Sequence, residues 1–216
     1  KLTGACQAHA GACGLPPLIV AVDQEGGQVA RLRAPFTEFG GNAKMGGEAD
    51  AVQFAKTTAK ELHSVGINMN FAPVLDLAPA GIESIMAGRS FGPEPDRASR
   101  LGGAIIRHLQ SAGVMAVAKH FPGIGRTTLD SHIDMPVLDA ELDLLEATDL
   151  VPFCAAIESR VAGIMLSHVR YPALDPDWPA SLSTAVAGRL LRKKMRYAGV
   201  TMTDDLDMGA IGRHID

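Results

Sequence analysis

The sequence predicts an α/β fold of the TIM-type (β/α)8 barrel class, incomplete within this chain. Three observations carry that expectation. Short runs of β-branched and aliphatic residues alternate with segments of helical periodicity, a pattern that implies a parallel sheet. Each run ends in polar residues, and in a barrel the C-terminal strand ends form the catalytic face. The glycine-bearing stretch Asp23-Gln-Glu-Gly-Gly27 is not the G-x-G-x-x-G turn of a doubly wound nucleotide-binding sheet.

The elements follow in order. Strands are expected over 18–22, 67–75, 114–118, 161–166 and 200–203, where Val, Ile, Leu and Met cluster. Helices are expected over 48–65, 96–112, 140–159 and 183–197, with Gly66, Gly113 and Gly199 as stops. Pro-bearing inserts at 78–95, 121–136 and 171–179 each follow a strand and precede a helix, which places them on one rim. The strands end at Asp23, Asp76, Lys119-His120, His168 and Asp204-Asp205. A complete barrel needs about 250 residues and eight strands. Five strands are legible here.

Composition sets the outer limits. With 216 residues, 47% of them hydrophobic, and a net charge of −4, the chain can bury one sizeable core and lacks the apolar depletion of disordered segments. No apolar run is long enough to span a membrane, and the first residues lack the layout of a secretory signal, so a cytoplasmic location is expected. Cys6, Cys13 and Cys154 have no metal-ligand spacing, and their odd number argues against a disulfide framework. The one basic cluster, 189–196, reads as the solvated end of a helix rather than a nucleic-acid footprint.

The stretch Lys119-His-Phe-Pro-Gly-Ile-Gly-Arg-Thr-Thr-Leu-Asp130-Ser-His132 concentrates the chemistry. It gathers two histidines, a lysine and an aspartate in a Gly/Pro-hinged loop beyond a strand end. Asp130 and His132 are two residues apart, so in an extended segment they project to the same side, where a carboxylate can hydrogen-bond an imidazole. At 200–205, residues 200, 202 and 204 share one face of the strand and 201, 203 and 205 the other. Only one of the two aspartates can therefore point into the barrel mouth.

Six motifs occur in order: 21–33 (AVDQEGGQVARLR), 70–76 (NFAPVLD), 88–92 (GRSFG), 119–123 (KHFPG), 130–132 (DSH) and 203–206 (TDDL). Together they resemble the catalytic barrel of glycoside hydrolase family 3, and the Asp-Ser-His element resembles its β-N-acetylhexosaminidase branch. The resemblance runs from residue 18 to the end. It implies one catalytic-barrel domain over 1–216, truncated at both ends, lacking one strand before this segment and two after it.

The resemblance further implies retaining removal of terminal, non-reducing β-linked N-acetylglucosamine through a glycosyl-enzyme intermediate, with no metal or organic cofactor. Such an enzyme needs a carboxylate nucleophile and a proton donor on opposite sides of the anomeric carbon. The family match selects Asp204 as nucleophile, and His132 oriented by Asp130 as acid/base. A nearby carboxylate favours imidazolium, which holds the proton for the leaving oxygen; the neutral imidazole then deprotonates water. The family's sugar-binding positions correspond to Asp23, Arg31, Arg89, Lys119 and His120. Asp76 reads as structural, His168 is open, and His63, His108 and His214 read as helix-surface or terminal residues.

The chain departs from the family at Ile124 and Arg126, where many relatives carry histidine and an acidic or small residue. Gly123 and Gly125 are read as hinges of a lid that swings His132 over the substrate. A metal-dependent barrel hydrolase is discarded for want of a His-x-His or similar ligand cluster. Two alternatives stay open: a catalytically silent sugar-binding barrel, and a β-glucosidase of the same family. The expected partner is a glycan, peptidoglycan fragments by resemblance to bacterial recycling enzymes, with no nucleic acid and no membrane.

Overall fold

A computed structural model describes residues 2–131 and 133–214. The expected acid/base His132 thus lies outside the described residues. The chain opens with helix α1 (Leu2–Ala12), β1 (Ala21–Val22), a hairpin of β2 (Gln24–Gly26) and β3 (Val29–Ala30), and a single 3-10 turn (Asn42–Lys44). Helix α2 (Glu48–Ser64), β4 (Met69–Asn70), α3 (Pro95–Ser111) and β5 (Met115–Phe121) follow. Then come α4 (Leu142–Ala147), α5 (Val151–Glu158), β6 (Gly163–Leu166), a second hairpin of β7 (Arg170–Tyr171) and β8 (Asp175–Pro179), a π-helix (Ala185–Lys194), β9 (Val200–Thr203) and α6 (Gly209–Gly212).

The expected parallel sheet is present. Its order is β1-β4-β5-β6-β9, and every pairing is parallel. Successive strands are neighbours and the long helices cross over between them, so the sheet is an arc of a TIM-type barrel. One apolar cluster (Met69, Val117, Met165, with Phe71, Met115 and Met202 against it) is separate from the main core. The main core holds the buried faces of α2, α3 and α5, and α3 packs against both other helices.

Local chemistry explains the elements. In α2 the buried residues Ala51, Phe54, Ala55, Thr58, Ala59 and Leu62 recur at helical spacing, and Glu48 and Asp50 sit in the first turn, where the helix dipole favours negative charge. Phe54 is fully buried, which contributes about 2–3 kcal/mol. Helices α2 and α3 end as expected at Gly66 and Gly113, both with positive φ, and each closes with paired bonds back into the last turn: Gly66 N–H to His63 O and Ile67 N–H to Leu62 O, then Gly113 N–H to Gln110 O and Val114 N–H to Leu109 O. A methyl group on Gly102 would lie 2.4 Å from Leu75 Cδ2, so α3 needs glycine there to approach the sheet.

Several boundaries differ from expectation for identifiable reasons. The strand expected over 67–75 is regular only to Asn70; Pro73 has no N–H to donate, and beyond it the segment stays joined to β5 by Lys119 N–H to Pro73 O (3.2 Å) and Leu75 N–H to Lys119 O (2.7 Å), around a bridge from Val74 to Lys119. Strand β5 runs on to Phe121, so Lys119 and His120 belong to the strand itself. The helix expected over 140–159 is two helices. Pro152 has no N–H and its ring would collide with the Thr148 carbonyl, so the helix restarts at Val151. The helix expected over 183–197 is the π-helix, and Arg196, not Gly199, holds the left-handed position after it. Gly199 serves a close approach instead: a Cβ there would meet the Tyr197 hydroxyl at 2.3 Å. Helix α1 was not expected, since it buries only Ala10 and has no apolar stripe.

Candidate active site

All five strand ends meet on one rim. At β1 the chain passes through Asp23 into the β2–β3 hairpin, which Gln24 closes: its Oε1 accepts from the backbone N–H groups of Arg31 (2.8 Å) and Leu32 (2.9 Å), and its Nε2 donates to Leu32 O (2.9 Å). Asn70 on β4 fixes the hairpin's entry, accepting from Gln24 N–H and donating to Gln24 O, both at 3.0 Å. The hairpin thereby delivers Asp23 and Glu25 beside the end of β5.

Glu25 is the residue that sequence reasoning missed. Its side chain is 4% exposed, and it takes a bidentate pair from Arg89, Nε to Oε2 at 2.9 Å and Nη2 to Oε1 at 2.7 Å. Lys119 Nζ lies 2.7 Å from Glu25 Oε1 and 2.6 Å from Asp23 Oδ1. Burial would raise the Glu25 carboxyl, but the Arg89 hydrogen bonds and the Lys119 and Arg89 charges outweigh it and lower it to about 2. Burial alone would lower the Arg89 guanidinium; bonding to Glu25 reverses that, and the group is raised. Asp23 is the open end of this network, with a third of its side chain in solvent. The only sequence signal for Glu25 was an acidic residue next to two glycines inside a motif already singled out.

Asp76 is fully buried and organises the end of β5. Its Oδ2 accepts from His120 Nδ1 at 2.7 Å, its two oxygens accept from His120 N–H at 3.2 Å, and Oδ1 accepts from Ile124 N–H at 2.8 Å. Because a carboxylate only accepts, Nδ1 carries a proton, and the neutral tautomer with that proton has Nε2 as its acceptor. Nε2 lies 3.9 Å from Asp204 Oδ2. Asn42 and Ser90 brace the opposite wall: Asn42 Nδ2 donates to Val74 O (3.2 Å) and Arg89 O (3.0 Å), and Ser90 Oγ donates to Asp76 O (2.7 Å).

Asp204 follows β9. Met202, two residues earlier, packs in the inner apolar cluster, and Asp204 faces a pocket with His120, Arg89, Ile124 and Asp130. The alternation argued from sequence therefore assigns the inner face to Asp204. Asp205 leaves its carbonyl to His168, whose Nε2 donates to it at 2.9 Å while Nδ1 accepts from Ser181 Oγ at 2.7 Å. His168 is thus a buried brace for the Asp204-Asp205 turn.

The loop after β5 is held at several points. Gly123 and Gly125 are buried, and a methyl group on Gly125 would lie 1.3 Å from Leu77 O. Both glycines make close contacts here, Gly123 beside Asp149, whose Cβ would lie 3.0 Å from an added methyl group, and Gly125 beside Leu77. Ile124 lines the pocket wall, and Arg126 pairs with Asp149 (Nε to Oδ2, 2.8 Å). Asp130 reaches the same pocket as Asp204, and Ser131 O accepts from Ala210 N–H at 3.0 Å, tying the loop to α6. Arg31 is the exception among the expected residues. Its backbone serves the hairpin, but its side chain is exposed and makes no ion pair among the described residues. His63 and His214 are exposed as expected, although each has a partner: Ala112 O for His63 and Asp134 for His214.

The internal space between these groups is about 70 Å³, a narrow pocket that Ile85, Met86 and Ile124 line along with the polar residues. Among the described residues, no group of three His, Cys, Asp or Glu side chains is arranged to hold a metal ion, and no helix is long and apolar enough to cross a membrane.

Known proteins resemble this chain in sequence and in fold. The glycosyl hydrolase family 3 N-terminal domain matches residues 5–216. Beta-hexosaminidase A of Pseudoalteromonas piscicida is 40% identical over 214 residues, covering 90% of this chain and 36% of that protein. Beta-hexosaminidase of Pseudomonas aeruginosa is 38% identical, covering 93% of this chain and 60% of its own length. The solved structure of a family 3 beta-N-acetylglucosaminidase from Paenibacillus sp. str. FPU-7 superimposes with a TM-score of 0.94 at 39% identity, covering 99% of this chain and 41% of that one. The chain therefore spans between about a third and three fifths of the length of these relatives.

Proposed function

The chain belongs to glycosyl hydrolase family 3, and from that premise we propose that it is the catalytic-barrel domain of a retaining exo-β-N-acetylglucosaminidase. The observation that supports the reading is the pocket that Asp204 and Asp130 line together with Arg89 and His120. A carboxylate at a barrel strand end with a proton-handling group opposite is the arrangement that retaining hydrolysis needs.

In the proposed first step an Asp204 carboxylate oxygen bonds to the anomeric carbon as the bond from that carbon to the leaving oxygen breaks. The electron pair stays on the leaving oxygen, which takes a proton from His132, oriented by Asp130. In the second step water attacks the same carbon, its proton returns to His132, and Asp204 is released. One water is consumed and two hydroxyl-bearing products result.

Asp23 is the most exposed group of the Glu25 network, suited to vicinal sugar hydroxyls, while Glu25 anchors the Lys119 and Arg89 cations beside it. His120 Nε2 borders Asp204 and suits a sugar hydroxyl. Arg31 is assigned to sugar binding on the family resemblance alone. Muropeptide-like glycans are the proposed natural substrates.

Turnover of 4-nitrophenyl N-acetyl-β-glucosaminide by the full-length protein tests the reading. Release of 4-nitrophenol with β-configured N-acetylglucosamine as first product, abolished in Asp204→Asn, is the expected result. Sugar binding without turnover would favour a silent binding barrel.

A further inference from the structure

We propose that Arg126, at one of the two positions where the loop after β5 departs from the family pattern, is a positioning residue for proton delivery. Its ion pair with Asp149 sets the placement of the loop segment that carries Asp130 to the pocket. The proposal rests on the hydrolase reading above.

Asp149 lies between α4 and α5 with its side chain wholly buried. A buried carboxylate is costly unless a cation and hydrogen bonds compensate it. Arg126 supplies that cation: Nε donates to Asp149 Oδ2 at 2.8 Å, and Nη2 donates to Thr148 Oγ1 at 3.0 Å, which itself lies 2.7 Å from Oδ2. Asp149 Oδ1 has no hydrogen-bond partner among the described residues, so the carboxylate leans on this one fork.

Three consecutive loop residues are thus pinned from three directions. Ile124 N–H is held by Asp76, Gly125 is pressed on the Leu77 carbonyl, and Arg126 is held by Asp149. Beyond them Thr127 O accepts from Ile85 N–H at 3.3 Å, and the Thr127 hydroxyl spans Leu129 N and O. Asp130 is the next residue. The Asp76 pin also positions His120, on the sugar side of the pocket, whereas Arg126 and Asp149 do not line the pocket at all. They act on the pocket through the loop that they anchor, and Asp130 is the pocket residue that this loop carries on the acid side.

The nucleophile has separate supports. Asp204 N–H donates to Leu166 O at 3.0 Å, and the next residue is held by His168. Loss of the Arg126 fork therefore displaces the acid side while leaving Asp204 in place. Acid assistance matters for a leaving group that cannot depart as an anion and hardly at all for one that can.

The test compares kcat/KM of the full-length protein on 4-methoxyphenyl and 2,4-dinitrophenyl N-acetyl-β-glucosaminides. For Arg126→Met, kcat/KM should fall roughly 10- to 100-fold on the methoxyphenyl substrate, with the dinitrophenyl substrate changed less than about threefold. Arg126→Lys, which keeps the charge but not the fork, should restore part of the loss. If Arg126→Met does not fold, Arg126→Lys decides by the same ratio. Equal losses on both substrates, or none on either, would overturn the proposal. Wild-type protein inactive on both would overturn the hydrolase reading and this one with it.

Discussion

His120 Nε2 stands 3.9 Å from Asp204 Oδ2, and the orientation of that ring is set from behind by Asp76 at 2.7 Å from Nδ1. Asp76→Asn places an amide where a carboxylate accepts four contacts. An amide N–H facing Nδ1 would shift the imidazole proton to Nε2, turning an acceptor into a donor beside Asp204. We expect kcat/KM to fall by roughly 10- to 100-fold and stability by about 1–3 kcal/mol, since buried groups lose partners. Steady-state kinetics with thermal melting checks this; wild-type rates in a folded variant would show that the tautomer is immaterial.

The Glu25 network predicts a definite pH dependence of stability. The folded-state carboxyl is lowered from 4.5 to about 2, so its contribution is fully present above pH 4.5 and is lost as the pH falls toward 2. The gap corresponds to about 3 kcal/mol. Glu25→Gln should therefore be less stable than wild type by about that amount at pH 7, and the difference should shrink steadily below pH 4.5. Urea denaturation at pH 7, 4.5 and 3 measures it. A difference independent of pH would mean that packing, not charge, is what Glu25 supplies.

His168 braces the turn that carries Asp204 without lining its pocket. Removing the imidazole with His168→Ala strands the buried Ser181 hydroxyl and takes a partner from the part-buried Asp205 carbonyl, at a cost of about 1–3 kcal/mol. Since the groups proposed to bind sugar stand on other segments, kcat should drop while KM changes little. A variant with intact kcat and raised KM would instead place His168's influence on binding.

Much of this could be read before any coordinates because strand ends are punctuated by residue type. Asp23, Asp76, Lys119-His120, His168 and Asp204 each interrupt an apolar run, and alternation along β9 was enough to put Asp204 and Met202 on one face. What stayed hidden depends on contacts remote in sequence. Glu25 is defined by Arg89 and Lys119, 64 and 94 positions away, and nothing local marks it as buried. Arg126 reads in the sequence only as a departure from the family pattern, because its partner Asp149 lies across a helix boundary that Pro152 creates. The π-helix also escaped notice: the apolar positions of 185–194 satisfy a 3.6-residue period well enough that the wider turn leaves no mark.

Gly125 separates the two accounts of the loop after β5. As a hinge it would tolerate alanine with some loss of motion, because alanine restricts the backbone without blocking it. As a contact residue it cannot, since the added methyl group would fall 1.3 Å from the Leu77 carbonyl oxygen, and backbone atoms on both sides would have to move. Leu77 follows Asp76 directly, so relief of that clash disturbs the carboxylate that orients His120 and holds Ile124. Gly125→Ala should therefore cost about 3 kcal/mol or more and lower activity on every aryl leaving group alike, because both the sugar side and the acid side shift. That uniform loss distinguishes it from Arg126→Met, whose loss should depend on the leaving group. Melting temperature and the two-substrate rate ratio, taken on Gly125→Ala beside Arg126→Met, decide it: a stable alanine variant with near-normal rates would return Gly125 to the role of a hinge.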